Sequence, residues 1–162
     1  MSTVVLALGG NLGDRAANLQ AGVDALRARG IEPTRMSSIW ETEPVPADQP
    51  AFLNAVIVAN TELQPEQLLV AAKAIEAALG RRPSRRWGPR PIDIDILFYD
   101  DLAMESDALT IPHPRIGERS FVLAPLAEVM EGVLPVLGAL AASLLAALPR
   151  DGLLERTDER LR

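Results

Sequence analysis

Val4 to Leu8 is apolar at every position, the pattern of a short buried strand. Gly9-Gly10-Asn11-Leu12-Gly13 breaks that run, and Asp14 offers a carboxylate to cap a helix. Ala16, Leu19, Val23 and Leu26 then recur at helical spacing, and Gly30 ends the helix. Ile31 to Ile39 reads as a second strand, interrupted by Pro33. Glu43 to Pro50 holds three prolines in seven residues, which remove donors and fix dihedrals, so it is an irregular loop. Phe52 to Val58 is a third strand. Pro65 opens a second helix at its favoured first position, with Leu68, Ala72, Ile75 and Leu79 on the buried face and Gly80 at the end. A fourth strand runs from Ile92 to Phe98.

The order β-α-β-β-α-β predicts an α+β fold of the ferredoxin-like kind, an antiparallel sheet with both helices on one face. Beyond Asp100 the pattern adds short strands, a helical turn at Val122–Val129 and a helix near Ala139–Leu148. No repeat or linker divides the chain, so residues 1–162 are expected to form one domain, with Arg150–Arg162 as a mobile charged tail.

Composition narrows the function. Of 162 residues 48% are hydrophobic and 23% charged, ordinary for a soluble globular protein. With no cysteine and a single histidine, His113, thiol chemistry and multi-histidine metal sites are excluded. The first residues lack the pattern of a signal peptide, and the apolar stretch Val133–Leu148 is broken and too short to span a bilayer. A cytoplasmic protein without a membrane partner is expected. The net charge of −6 argues against nucleic acid as partner. Yet Arg81, Arg82, Arg85, Arg86 and Arg90 fall within ten residues, either a solvated loop or a local anion site.

The acidic residues just beyond the arginines favour the anion site. Asp93 and Asp95 alternate with Ile92, Ile94 and Ile96, so on a strand both carboxylates share one face. At roughly 6–7 Å apart they repel by about 2–3 kcal/mol at an effective dielectric of ~20. A cation between them reverses that sign. Magnesium is held by one or two carboxylates plus substrate phosphates, so an acidic pair beside arginines suits a magnesium-bound polyphosphate. The glycine cluster at residues 9–13 lacks a Gly-Lys-Ser/Thr ending and the dinucleotide spacing, and reads as a structural turn. His113 lies in a loop with Arg115 and Arg119 nearby, and Phe52 and Phe121 are either core residues or platforms for a planar heterocycle. These residues alone leave open a magnesium-dependent nucleotidyltransferase or phosphatase, or a ferredoxin-like RNA-binding module.

Several segments, taken together, resemble the 6-hydroxymethyl-7,8-dihydropterin pyrophosphokinases of folate biosynthesis, in family order to about Val129. They are Leu8–Asp14, Glu41–Val45, Asp48–Ala55, Gly80-Arg81, Arg86–Leu97, and Pro112–Arg115 with Arg119–Leu126. The resemblance implies transfer of pyrophosphate from ATP to the pterin hydroxymethyl oxygen, with release of AMP, by a monomer acting on small molecules. It implies that Asp93 and Asp95 hold two magnesium ions and that Arg81 and Arg90 act with them in catalysis. Glu76, Arg81, Arg90, Ile96, His113, Arg115 and Arg119 would meet ATP. Thr42, Pro44, Val45, Phe52, Asn54, Asp93 and Phe121 would meet the pterin, and Arg85 and Trp87 would belong to a lid. Gly10 stands where the family often has serine, a difference of small consequence in a structural turn.

Overall fold

The computed structural model describes residues 1–44, 47–80, 88–149 and 154–162. Among the described residues the strands are β1 (Ser2–Gly10), β2 (Glu32–Met36), β3 (Ser38–Thr42), β4 (Phe52–Thr61), β5 (Asp93–Tyr99), β6 (Met104–Glu105), β7 (Thr110–Ile111) and β8 (Leu154–Arg160). The α-helices among these residues are α1 (Arg15–Ala28), α2 (Pro65–Ala78), α3 (Ser120–Val129) and α4 (Ala141–Ala146). The main sheet runs β5-β1-β4-β3-β8, with β2 also against β4, and every pair is antiparallel. This is the expected ferredoxin-like order.

Helix α1 starts where expected, because the Asp14 side chain accepts the Ala17 N–H. Leu19, Val23 and Leu26 of α1, with Leu68, Ala72 and Ile75 of α2, pack on one sheet face against Val4, Leu6, Leu8, Ile57, Ile94 and Ile96. Both helices therefore share a face. The opposite face carries Val5, Val56, Val58 and Leu97, covered by Val122, Leu123 and Leu126 of α3 and Ala141 of α4. Helix α3 crosses that face. Arg119, its cap, reaches β5, while Glu128 near its end accepts from the Ser38 N–H, the Ser38 hydroxyl and the Trp40 indole of β3.

Three expectations change. The single strand Ile31–Ile39 is two strands, β2 and β3, parted at Ser37. There the hydroxyl takes the Val56 N–H at 2.9 Å, a side chain standing in for the backbone ladder. The third strand runs on to Thr61. Of the charged tail, expected to be mobile, the described part forms β8 on the outer edge of β3, where Thr42 pairs with Leu154 and Trp40 with Arg156. Edge pairing draws on backbone donors and acceptors that composition does not reveal. Leu161 is buried beyond β8, and Gln20 and Arg27 of α1 donate to the Arg162 carbonyl, both at 2.7 Å.

Candidate active site

Four strand ends meet at one end of the α3 face. Antiparallel register sets Asp93 of β5, Gly9 of β1, Asn54 of β4 and Trp40 of β3 in one row across the sheet. Asp95 lies in the next row, opposite Ala7. Alternation turns Thr42, Phe52, Asn54, Asp93 and Asp95 to the same face as α3, which begins with Ser120 and Phe121. Asp93 and Asn54 are two strands apart, about 10 Å between Cα atoms, and the residue between them has no side chain. A Cβ on Gly9 would come 2.8 Å from Asn54 Oδ1. The sheet thus carries a slot floored by Gly9 and walled by Asp93 and Asn54. Asn54 is buried and held, its amide donating to the Thr42 hydroxyl at 2.8 Å.

The acidic wall is matched by arginine. Arg90 Nη1 is 3.7 Å from Asp93, and Arg119 Nη1 is 3.7 Å from Asp95. Arg119 also lies over the Phe121 ring, 5.6 Å from its centroid. The Asp95 carboxyl is nevertheless pushed up from its ordinary 3.8 to about 7. Burial is the largest cause and Asp93 the next; Arg119 opposes both, and the charge of Glu76 adds to the rise. His113 is held down at about 4 by burial and then by Arg119, so it is neutral at pH 7. Its Nδ1 accepts the Arg115 N–H at 3.2 Å, which leaves the proton on Nε2.

The loops around the slot are tied together by Asn11. Its N–H donates to the Arg90 carbonyl and its Oδ1 accepts the Arg90 N–H, both at 2.9 Å. Its Nδ2 donates to Gln49 Oε1 and to the Pro50 carbonyl. One buried side chain therefore fixes the segment carrying Arg90 against the end of the proline loop. Gly10 makes room for this contact, since a Cβ there would stand 2.2 Å from the Pro91 carbonyl oxygen. Any side chain at this position would force the Pro91 carbonyl to shift, so in this chain the glycine is what permits so close an approach, and the position matters more than its place in a turn suggested.

Comparison with known proteins identifies the family. Residues 5–131 match the family described as 7,8-dihydro-6-hydroxymethylpterin-pyrophosphokinase. The chain belongs to that family. The 2-amino-4-hydroxy-6-hydroxymethyldihydropteridine pyrophosphokinase of Methylorubrum extorquens is 47% identical over 131 residues, 80% of this chain and 83% of that protein. Its namesake in Bacillus subtilis is 45% identical over 130 residues, covering 79% and 78%. The mitochondrial folate synthesis bifunctional protein of Pisum sativum is 50% identical over 128 residues, 78% of this chain but 25% of its own length. The chain thus spans about a quarter of the bifunctional plant relatives it matches. Among solved structures, wild-type HPPK-DHPS of Plasmodium falciparum superposes with a TM-score of 0.74 at 16% identity, over 90% of this chain and 44% of that one. That likeness concerns the fold.

Within this pyrophosphokinase fold, the residues expected at the site are brought together unevenly. Thr42, Phe52, Asn54, Asp93 and Asp95 share one sheet face, with Arg90 beside Asp93, Arg119 beside Asp95 and Arg119 over Phe121. His113 and Arg115 lie on the loop whose His113 N–H donates to the Leu97 carbonyl, within electrostatic reach of Asp93. Pro44 is half-buried just past the end of β3. Glu76 is buried on α2 behind the edge of β5, where it accepts the Ile94 N–H at 2.8 Å and lies 3.5 Å from Lys73. Ile96 turns its side chain into the α1–α2 core, leaving only its backbone for a ligand. Val45, Arg81, Arg85 and Trp87 lie outside the described residues.

Sequence reasoning missed Asn11, which it counted among turn residues, and Arg15, whose Nη1 lies 2.7 Å from Glu41 and donates to the Ala51 carbonyl at 3.0 Å. A signal for Arg15 existed, because a cation at a helix amino terminus opposes the macrodipole.

Proposed function

We propose that this chain transfers pyrophosphate, as one unit, from ATP to the hydroxymethyl oxygen of 6-hydroxymethyl-7,8-dihydropterin, releasing AMP. The observation that carries the reading is the row Asp93–Gly9–Asn54, in which a position without a side chain lies between a carboxylate and a carboxamide. Asn54 and Asp93 suit the donor and acceptor edge of a pterin, and Phe52 and Phe121 suit its ring faces. Thr42, Pro44 and Val45 complete the acceptor side in this reading.

The hydroxymethyl oxygen attacks the β-phosphorus, the bond to the α,β-bridging oxygen breaks, AMP departs and the hydroxyl proton passes to water. Such transfers rest on positioning and charge stabilisation. Arg90 is fixed through its backbone by Asn11 and directs its guanidinium at the Asp93 side of the slot, where phosphate charge would develop. Arg119, Arg115 and the Nε2–H of neutral His113 offer further donors to the triphosphate. Arg81, Glu76 and the Ile96 backbone are assigned to ATP, and Arg85 and Trp87 to the lid, on resemblance.

Two magnesium ions belong to the proposal, with Asp93 and Asp95 as their protein ligands. One observation supports it. Burial first, and Asp93 second, raise the Asp95 carboxyl to about 7, so a bound cation would favour its ionised form. Bound magnesium would neutralise phosphate charge and orient the triphosphate.

We further propose one domain working as a cytoplasmic monomer; among the described residues no helix is long and apolar enough to cross a membrane. The RNA-binding alternative loses its platform, because α3 and α4 cover much of the second sheet face. Incubation with ATP, magnesium and hydroxymethyl-dihydropterin should yield AMP and the pterin diphosphate in equal amounts. Release of ADP and free phosphate instead would favour the phosphatase alternative, and release of pyrophosphate the nucleotidyltransferase.

A further inference from the structure

We infer that the Arg15–Glu41 pair is a positioning device for the acceptor substrate, acting from the face of the sheet opposite the site. The inference rests on the functional reading above and adds two residues to it. Arg15 is the first residue of α1, a place where the helix dipole favours anions, and the first turn contains no acidic residue. The cation is satisfied elsewhere. Its Nη1 lies 2.7 Å from Glu41 Oε2 and 3.0 Å from the Ala51 carbonyl oxygen. Glu41 is the penultimate residue of β3, and Ala51 directly precedes β4. A single terminal nitrogen, with its two hydrogens, therefore grips both stems of the proline loop.

The stems carry the acceptor wall. Glu41 precedes Thr42, Ala51 precedes Phe52, and Thr42 pairs with Phe52 across the two strands. Alternation turns Glu41 away from the face that bears Thr42, Phe52 and Asn54, so neither Arg15 nor Glu41 reaches substrate. Their effect passes through backbone, by fixing where the loop leaves and rejoins the sheet. Asn11 fixes the neighbouring Pro50 carbonyl from the catalytic side. Arg15 closes the loop from behind. As a mere surface ion pair, about a third exposed on each side chain, it would contribute little to stability.

The test uses the whole chain and the variants Arg15→Ala, Arg15→Lys and Glu41→Gln. Three quantities are measured: the Kd of hydroxymethyl-dihydropterin in the presence of α,β-methylene ATP and magnesium, the Kd of that analogue alone, and the unfolding midpoint. Arg15→Ala and Glu41→Gln should weaken pterin binding about tenfold and leave analogue binding within about twofold. Arg15→Lys should fall between. The double variant Arg15→Ala/Glu41→Gln should be no worse than Arg15→Ala, as expected of groups acting as a pair. Unchanged pterin binding, additive losses, or equal losses for both ligands with a fallen midpoint would each overturn the inference. Failure of the wild-type chain to bind the pterin would instead overturn the functional reading, and the positioning role with it.

Discussion

The guanidinium of Arg119 stands 3.7 Å from the carboxylate of Asp95, and still the carboxyl is raised to about 7. Burial and the neighbouring Asp93 outweigh the arginine. Burial thus holds the carboxyl partly protonated in spite of its arginine, and a substrate-borne cation would favour the ionised form. That balance, and the close contacts around it, set how the protein should respond to substitution, pH and magnesium.

Ionised Asp95 works against the fold. Its folded value lies above the ordinary 3.8, so its contribution to stability is full below about pH 4 and is lost as pH rises towards 7. Asp95→Asn should therefore melt above wild type at pH 8 without divalent cations, by about 3 °C for each kcal/mol recovered. The gap should narrow towards pH 4, and turnover should fall at least about a hundredfold. Thermal unfolding at the two pH values, with an activity assay, decides. A wild type that melts higher at pH 8 would contradict the charge argument.

The same titration should shape activity. At low magnesium, kcat/KM should drop as pH falls through about 7, where Asp95 takes up a proton. Raising magnesium should move that limb to lower pH, since a cation and a proton compete for the carboxylate. His113 titrates near 4 and should leave this limb untouched, so His113→Asn should lower activity without shifting it. A limb that ignores magnesium would count against metal binding at Asp95.

Gly9→Ala should separate the two substrates. The new Cβ would press within 2.8 Å of the Asn54 carboxamide, which is buried and bonded to Thr42 and has little freedom to retreat. Pterin binding should weaken by about tenfold or more, with nucleotide-analogue binding retained. Parallel titrations with each ligand give the answer, and unaltered pterin affinity would mean the slot lies elsewhere.

Gly10→Ala should be costlier to the fold. Its Cβ would meet the Pro91 carbonyl oxygen at 2.2 Å, a backbone atom, so the Asn11–Arg90 hydrogen bonds would have to lengthen or break. A loss of about 1–3 kcal/mol is expected in denaturant unfolding, together with reduced turnover. Full stability and activity would show that the Arg90 segment moves aside freely.

Arg90→Ala should lower kcat by about a hundredfold or more while changing pterin Kd only slightly, because its backbone anchor to Asn11 survives the substitution. Equal losses in both would reduce Arg90 to a binding residue.

Much of this was legible in the chain itself. A period of two placed Asp93 and Asp95 together and apart from the isoleucines, and a period of 3.6 gave the buried faces of α1 and α2, because local geometry is what periodicity reports. The pairing of strand ends was not. Gly9 became the floor of a slot only when register set it between Asp93 and Asn54, far apart in the chain but two strands apart in space. Asn11 became a hub only when its neighbours proved to be Gln49, Pro50 and Arg90. The charged segment Leu154–Arg160 became an edge strand because β3 offered free backbone bonds, which no side-chain pattern records. The sequence by itself determined which side chains share a face of each element. Only the tertiary structure decided which elements bring those faces together, since that depends on contacts between residues far apart along the chain.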